Sequence, residues 1–174
     1  MQRILVIGCP GAGKSTASRR MAKALDLPLV HLDRHYWQAG WEPTSPELWR
    51  DKVRQLVAAP RWIIDGNYTG TLDLRLASAD TVLHLDFSTA LCISRVLRRT
   101  LRNLGRERPD ELSPGCPERF DPAFLRYVVR FRRNVRMKII ERLAGFSGTT
   151  YRFASPSELE RFLISLERER RLVG

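Results

Sequence analysis

Cysteine is scarce in this chain, and so is lysine. The three cysteines, Cys9, Cys92 and Cys116, are far apart, odd in number and form no CxxC or Cys/His spacing, which argues against a disulfide framework and a zinc site. Long apolar runs are missing too. None approaches the roughly 20 residues that span a bilayer, and Met1-Gln2-Arg3 leads straight into a strand-like run instead of a signal-peptide layout, so no membrane is expected and the cytoplasm is the expected compartment. There is no internal repeat, low-complexity tract or Ser/Gly linker. At 174 residues, with 43% hydrophobic and 28% charged residues, the chain is expected to form one globular domain over 1–174.

Positive charge is abundant. Lysine plus arginine is 30 against 19 acidic residues, a formal charge of +11, and 26 of the 30 are arginine. Such a surplus points to acidic partners such as phosphates or nucleic acid, although solubility alone would also be served by it. The charge is concentrated: residues 95–142 hold 14 basic and 6 acidic residues, +8 of the total.

Short apolar runs alternate with amphipathic ones. Ile4–Ile7, Leu29-Val30 with Leu32, Trp62–Ile64, Val82–Asp86 and Thr149–Phe153 have the character of strands buried on both faces of a sheet. The segments between them have helical spacing. Ser45-Pro46, Asp121-Pro122 and Ser155-Pro156 each join an N-cap to a proline at the first helical position, and Ser155 with Glu158 spells a capping box. This alternation predicts a three-layer α/β fold with a five-stranded parallel sheet, its ligands at the carboxyl ends of the strands. Residues 105–121, with Pro109, Pro114, Gly115 and Pro117, break the pattern and are expected to form a mobile insertion over the sheet.

Gly8-Cys9-Pro10-Gly11-Ala12-Gly13-Lys14-Ser15 matches G-x-x-x-x-G-K-[ST] at every fixed position, between a strand and a helix. Glycines let successive amides point at an anion, Lys14 brings a point charge to the β- and γ-phosphates, and Ser15 offers a hydroxyl to Mg²⁺. A plain strand-to-helix turn needs neither Lys nor Ser at those offsets. The ligand expected here is a nucleoside triphosphate with Mg²⁺.

Strand-end carboxylates supply the other candidates. Asp65, and after it Asp86, could hold the metal through water, the alternative being a helix cap or turn role; Asp33 lies where a general base would meet the acceptor. All four tryptophans fall between 37 and 62, either stacking an acceptor's ring or anchoring the core, while His31 and His35 read as packing residues. Arg95, Arg98, Arg99 and Arg102 recur at helical spacing with Ile93, Leu97, Leu101 and Leu104 opposite, and Arg126, Arg130 and Arg133 repeat the stripe; these suit either a lid over a triphosphate or merely solvated faces.

The chain resembles the adenylate-kinase-like P-loop kinases, and more closely the bacterial DNA topology modulation proteins. The likeness rests on Arg3 through Thr16, His31-Leu32-Asp33 to Tyr36-Trp37, Trp62 to Tyr68, and Pro114 to Arg119. It implies a nucleoside-monophosphate-kinase-like sheet and ATP held by Gly8, Pro10, Gly11, Ala12, Gly13, Lys14, Ser15 and Thr16. It also implies an acceptor region at about 33–60, a helical lid at about 100–133, and Arg95 and Arg99 as lid-hinge arginines that contact the transferring phosphoryl group. Nucleoside monophosphate kinases follow Asp-Gly with Phe-Pro-Arg, whose arginine grips the acceptor phosphate. Here Asn67-Tyr68-Thr69 follows Asp65-Gly66, leaving Arg34 or Arg75 as substitutes.

The function expected is ATP- and Mg²⁺-dependent phosphoryl transfer to a small-molecule acceptor, a nucleotide among the candidates, with Lys14 and Asp33 central to the chemistry. The alternative is a nucleic-acid-associated ATPase whose arginines track a phosphate backbone, though no nucleic-acid-binding motif is present. Lys14→Ala is expected to abolish the heat of MgATP binding in calorimetry, and retention of that heat would refute the phosphate cradle.

Overall fold

The computed structural model describes residues 1–173. Its core is a parallel sheet of β1 (Arg3–Gly8), β2 (Leu29–His31), β5 (Trp62–Asp65), β6 (Thr81–Leu85) and β7 (Thr149–Phe153), in the order β2-β5-β1-β6-β7. β1 lies at the centre, pairing Ile4 with Ile63 on one side and with Thr81 on the other. Because both faces of these central strands are covered, Ile4 to Ile7 and Trp62 to Ile64 are almost wholly buried and read as unbroken apolar runs. From β1 the chain winds first to one edge and then to the other, so the loops leaving β1 and β5 part at the carboxyl edge and open a crevice there.

Helices α1 (Lys14–Leu25), α3 (Pro46–Val57), α4 (Leu72–Ser78), α5 (Thr89–Asn103), α6 (Pro122–Asn134), α7 (Arg136–Ala144) and α8 (Pro156–Val173) cover the sheet. The three Pro-marked starts form as expected. Ser45 Oγ accepts from the Leu48 amide, Asp121 accepts from Ala123 and Phe124 at 2.8 and 3.1 Å, and Glu158 reaches back to the Ala154 amide while Ser155 Oγ accepts from Glu158.

Several elements differ from the pattern-based expectation. Leu32 does not extend the second strand; it starts a short helix, α2 (Leu32–Tyr36), which carries Asp33 in its first turn. A hairpin of β3 (Trp37–Gln38) and β4 (Glu42–Pro43) follows, too short to leave a period-2 signature. On α5 the inward residues are Cys92, Val96 and Thr100, whereas Leu101 and Leu104 are exposed. The stripe opposite the arginines is therefore not the packed face, because the helix lays its small side chains against the loop after β1.

The 105–121 insertion carries no helix or strand and is folded down onto the hairpin. Gly40 donates to Gly115 O at 2.7 Å, Trp41 Nε1 to Pro117 O at 3.0 Å and Cys116 Sγ to Gln38 O at 3.1 Å. Leu112, Cys116 and Glu118 are buried. Glu118 ties the segment to α5, accepting from Thr100 at 2.9 Å and Arg99 at 3.2 Å and pairing with Arg108 at 3.0 Å.

Asp86, the second metal candidate, is engaged otherwise. Both its oxygens accept from Arg136 at 2.7 and 2.8 Å, and Arg152 adds a contact at 2.6 Å. Burial opposes the charged form, but these guanidinium groups pull the carboxyl down to about 2. Asp86 thus ties the end of β6 to α7 and β7. With a native pKa below the unfolded value, its stabilisation is full above about pH 4 and fades as pH falls toward 2. Asp86→Asn is expected to lower the unfolding free energy by about 3 kcal/mol at neutral pH in urea titration, with the deficit shrinking in acid.

Candidate functional site

The loop after β1 can wrap an anion because it packs where no side chain fits. At Gly8 (φ +149°) a Cβ would meet Leu85 O at 2.4 Å, and at Gly11 (φ +83°) it would meet Cys92 O at 2.3 Å. α1 then begins at Gly13 with no side-chain cap and no acidic residue in its first turn, so its opening amides and dipole are left facing the cleft. Lys14 Nζ lies back on its own loop, donating to Gly8 O at 3.0 Å and Cys9 O at 3.3 Å.

These residues border a cleft of about 880 Å³. Of the cradle positions read from the sequence, Pro10, Gly11, Ala12, Gly13, Lys14, Ser15 and Thr16 reach it. Gly8 does not, since its amide is bound to Asn67 Oδ1 at 3.0 Å and its carbonyl accepts from Asn67 Nδ2 at 2.8 Å. Asp33, Asp65, Arg95 and Arg99 also line the cleft. Arg95 donates to Ala12 O at 3.3 Å and lies 5.9 Å from the Phe87 ring, which places a cation beside the cradle. Arg99 is turned toward Glu118 and lies over Phe124 at 6.0 Å. Arg98, Arg102, Arg126, Arg130 and Arg133 are solvent-facing and off this cleft.

The two substitutes for an acceptor-phosphate arginine are elsewhere. Arg34 is exposed outside the cleft, while Arg75 is fully buried, donating to the carbonyls of Gly66, Asn67 and Tyr68. Burial lowers the Arg75 guanidinium to about 9. Its work is local: it grips a turn in which Tyr68, a non-glycine residue, is held at φ +31°.

That turn aims the Tyr68 hydroxyl at Asp33, to which it donates at 2.6 Å. Enclosure by the cleft raises the Asp33 carboxyl above the ordinary carboxylate range, against the opposing pull of Tyr68 and the Lys14 charge. The Asp33 side chain is exposed and open to meet a hydroxyl. Asp65, at the end of β5, is buried, and His31 Nδ1 donates to its Oδ2 at 2.9 Å. His31, taken from sequence as packing, fixes that carboxylate's orientation.

Ser15 and Asp65 present a hydroxyl and a carboxylate to the same cleft, hard oxygen donors that fit Mg²⁺, which takes few protein ligands and keeps several waters. Among the described residues no group of three or more His, Cys, Asp or Glu forms a self-sufficient metal cage. Aromatic neighbours divide between both sequence readings: Trp49 and Trp62 are buried in the core, whereas Trp37 and Trp41 border the cleft with Tyr36 and Tyr68. Sequence reasoning missed Asn67, Arg119, Phe124 and Tyr127, all of which border the cleft. Helical spacing on α6 marks Phe124 and Tyr127 as partners, and nothing local marks Arg119.

No family model matches the chain. It is 32% identical over 117 residues to a shikimate kinase from Rhodococcus jostii, covering 59% of this chain and 69% of that one. A shikimate kinase from Rhodococcus erythropolis is 30% identical over 152 residues, 79% of this chain and 86% of the relative. A gluconokinase structure from Sinorhizobium meliloti superposes with a TM-score of 0.54 at 17% identity, covering 99% of this chain and 95% of the other, a likeness of fold. Among the described residues no helix is long and apolar enough to cross a membrane.

Tyr68→Phe removes a hydrogen bond that favours the Asp33 carboxylate, so the acid limb of the kcat/KM–pH profile is expected to move upward by about one pH unit. An unmoved limb would detach Tyr68 from the titrating group.

Proposed function

Since the chain belongs to the shikimate kinase family of P-loop kinases, ATP-dependent phosphotransferases acting on small molecules, we propose that Asp33 activates the acceptor's hydroxyl in the cleft whose opposite wall, from Pro10 to Thr16, holds ATP. The observation that carries this reading is the Asp33–Tyr68 pair at 2.6 Å, bordering the same cleft as Lys14 and the bare amides of α1.

The roles follow from the chemistry of each group. Backbone amides of the loop and the α1 N-terminus bind the polyphosphate, and Lys14 leaves its carbonyl partners to meet the β- and γ-phosphates. Ser15 and Asp65 would hold Mg²⁺, which when bound would supply charge to neutralise the phosphates, and His31 keeps Asp65 pointed. Asp33 accepts the proton as the acceptor oxygen bonds to the γ-phosphorus; the bond from that phosphorus to the bridging oxygen breaks and its electron pair leaves on ADP. Arg95, already beside Ala12, stabilises charge on the transferring group, and Arg99 does so when it exchanges Glu118 for phosphate.

The nucleic-acid alternative, which the resemblance to DNA topology modulation proteins would favour, has no support among the relatives. Part of the basic surplus in 95–142 is also engaged inside the fold, with Arg99 and Arg108 on Glu118 and Arg136 on Asp86. Of these three, Arg99 belongs to the stripes, while Arg98, Arg102, Arg126, Arg130 and Arg133 face solvent off the cleft.

Asp33→Asn is expected to cut kcat at least about 100-fold in a coupled ADP-release assay while leaving MgATP binding unchanged in calorimetry. Undiminished turnover in that variant would remove Asp33 from the chemistry.

A further inference from the structure

The acceptor half of the cleft is walled by rings. On the hairpin side Tyr36 packs against Trp37 and Tyr68, with centroids 4.9 and 4.6 Å apart, and Trp37 meets Trp41 at 5.6 Å. On α6, Phe124 and Tyr127 stack at 6.3 Å with only 25° between their planes. All of these border the cleft. The Trp41 indole N–H is bound to Pro117 O, the Asn67 amide grips Gly8 at both ends, and Arg99 and Arg108 hold Glu118. Asp33 with its tyrosine partner, these aromatic faces and the Arg119 guanidinium, 5.6 Å from the Trp41 ring, share the cleft with Thr69, Glu111 and Asp121.

A saturated polyol acid needs a polar partner for nearly every hydroxyl it takes out of water, and ring faces supply none. A flat ring needs only faces to stack on, one hydroxyl for Asp33, and a cation that complements its π-system. Resting on the phosphotransfer reading above, we infer that the acceptor is an alcohol carried on an aromatic or heteroaromatic ring, the class that includes hydroxymethyl-substituted pyrimidines and pyridines. Its hydroxyl oxygen forms the new bond to the γ-phosphorus, its proton passes to Asp33, and ADP leaves with the electrons of the broken bond.

The test uses the full chain with MgATP and two acceptor panels, ring alcohols of those kinds against gluconate and shikimate, reading ADP release and phosphorylated product by mass spectrometry. Ring alcohols are expected to be phosphorylated at least about tenfold more efficiently and to quench the emission of Trp37 and Trp41. Phe124→Leu is expected to raise their KM about tenfold, the loss of one stacking contact, with kcat within about twofold, and Phe124→Tyr to restore it. Transfer confined to gluconate or shikimate, or a KM indifferent to Phe124→Leu, overturns the ring assignment and leaves phosphotransfer standing. Transfer to neither panel while MgATP still binds overturns both.

Discussion

Everything in this molecule is arranged around a backbone that comes too close to its neighbours for a side chain. The loop after β1 presses Gly8 against the carbonyl of Leu85 and Gly11 against that of Cys92, distances at which any Cβ would collide. That approach frees the opening amides of α1 for an anion and seats the cradle on both β6 and α5. Asn67 completes the fixture from the β5 side by holding the Gly8 amide and carbonyl. The loop side of the cleft is therefore fixed against three neighbouring segments of the fold, β6, α5 and the turn after β5.

The acceptor half is held by side chains instead. Buried Arg75 gathers three carbonyls of the 66–68 turn, and this keeps Tyr68 in a left-handed conformation and its hydroxyl on Asp33. An arginine placed so deep is costly to desolvate, and only the convergence of several carbonyls offsets that cost. On the far side, Glu118 gathers Arg99, Arg108 and Thr100, drawing the insertion over the hairpin. Two opposite solutions thus serve one purpose: a buried cation organises the floor and a buried anion organises the cover.

Much of this was legible in the chain. Strand-buried runs, proline-marked helix starts and the G-x-x-x-x-G-K-S spacing are local signals, set by steric and hydrogen-bonding rules that act over a few residues. The same rules failed where contacts between distant segments took over. The apolar stripe Leu97-Leu101-Leu104 looks like a packing face by periodicity, but the helix turns Cys92, Val96 and Thr100 inward because the glycine loop admits only small neighbours. Arg75 had seemed free to grip an acceptor, and Asp86 to hold a metal; both are saturated by partners that local pattern does not reveal.

Taken alone, the amino-acid order determined the sheet and the glycine loop between β1 and α1, and it singled out Asp33 as a candidate, because each depends on short-range spacing. Tertiary structure alone decided which of the many arginines face the cleft, that His31 steadies Asp65, and that rings from the hairpin and from α6 border one cavity. Those outcomes depend on how residues far apart in the chain are brought together, and the geometry that joins them is a property of the packed core, not of any window of sequence.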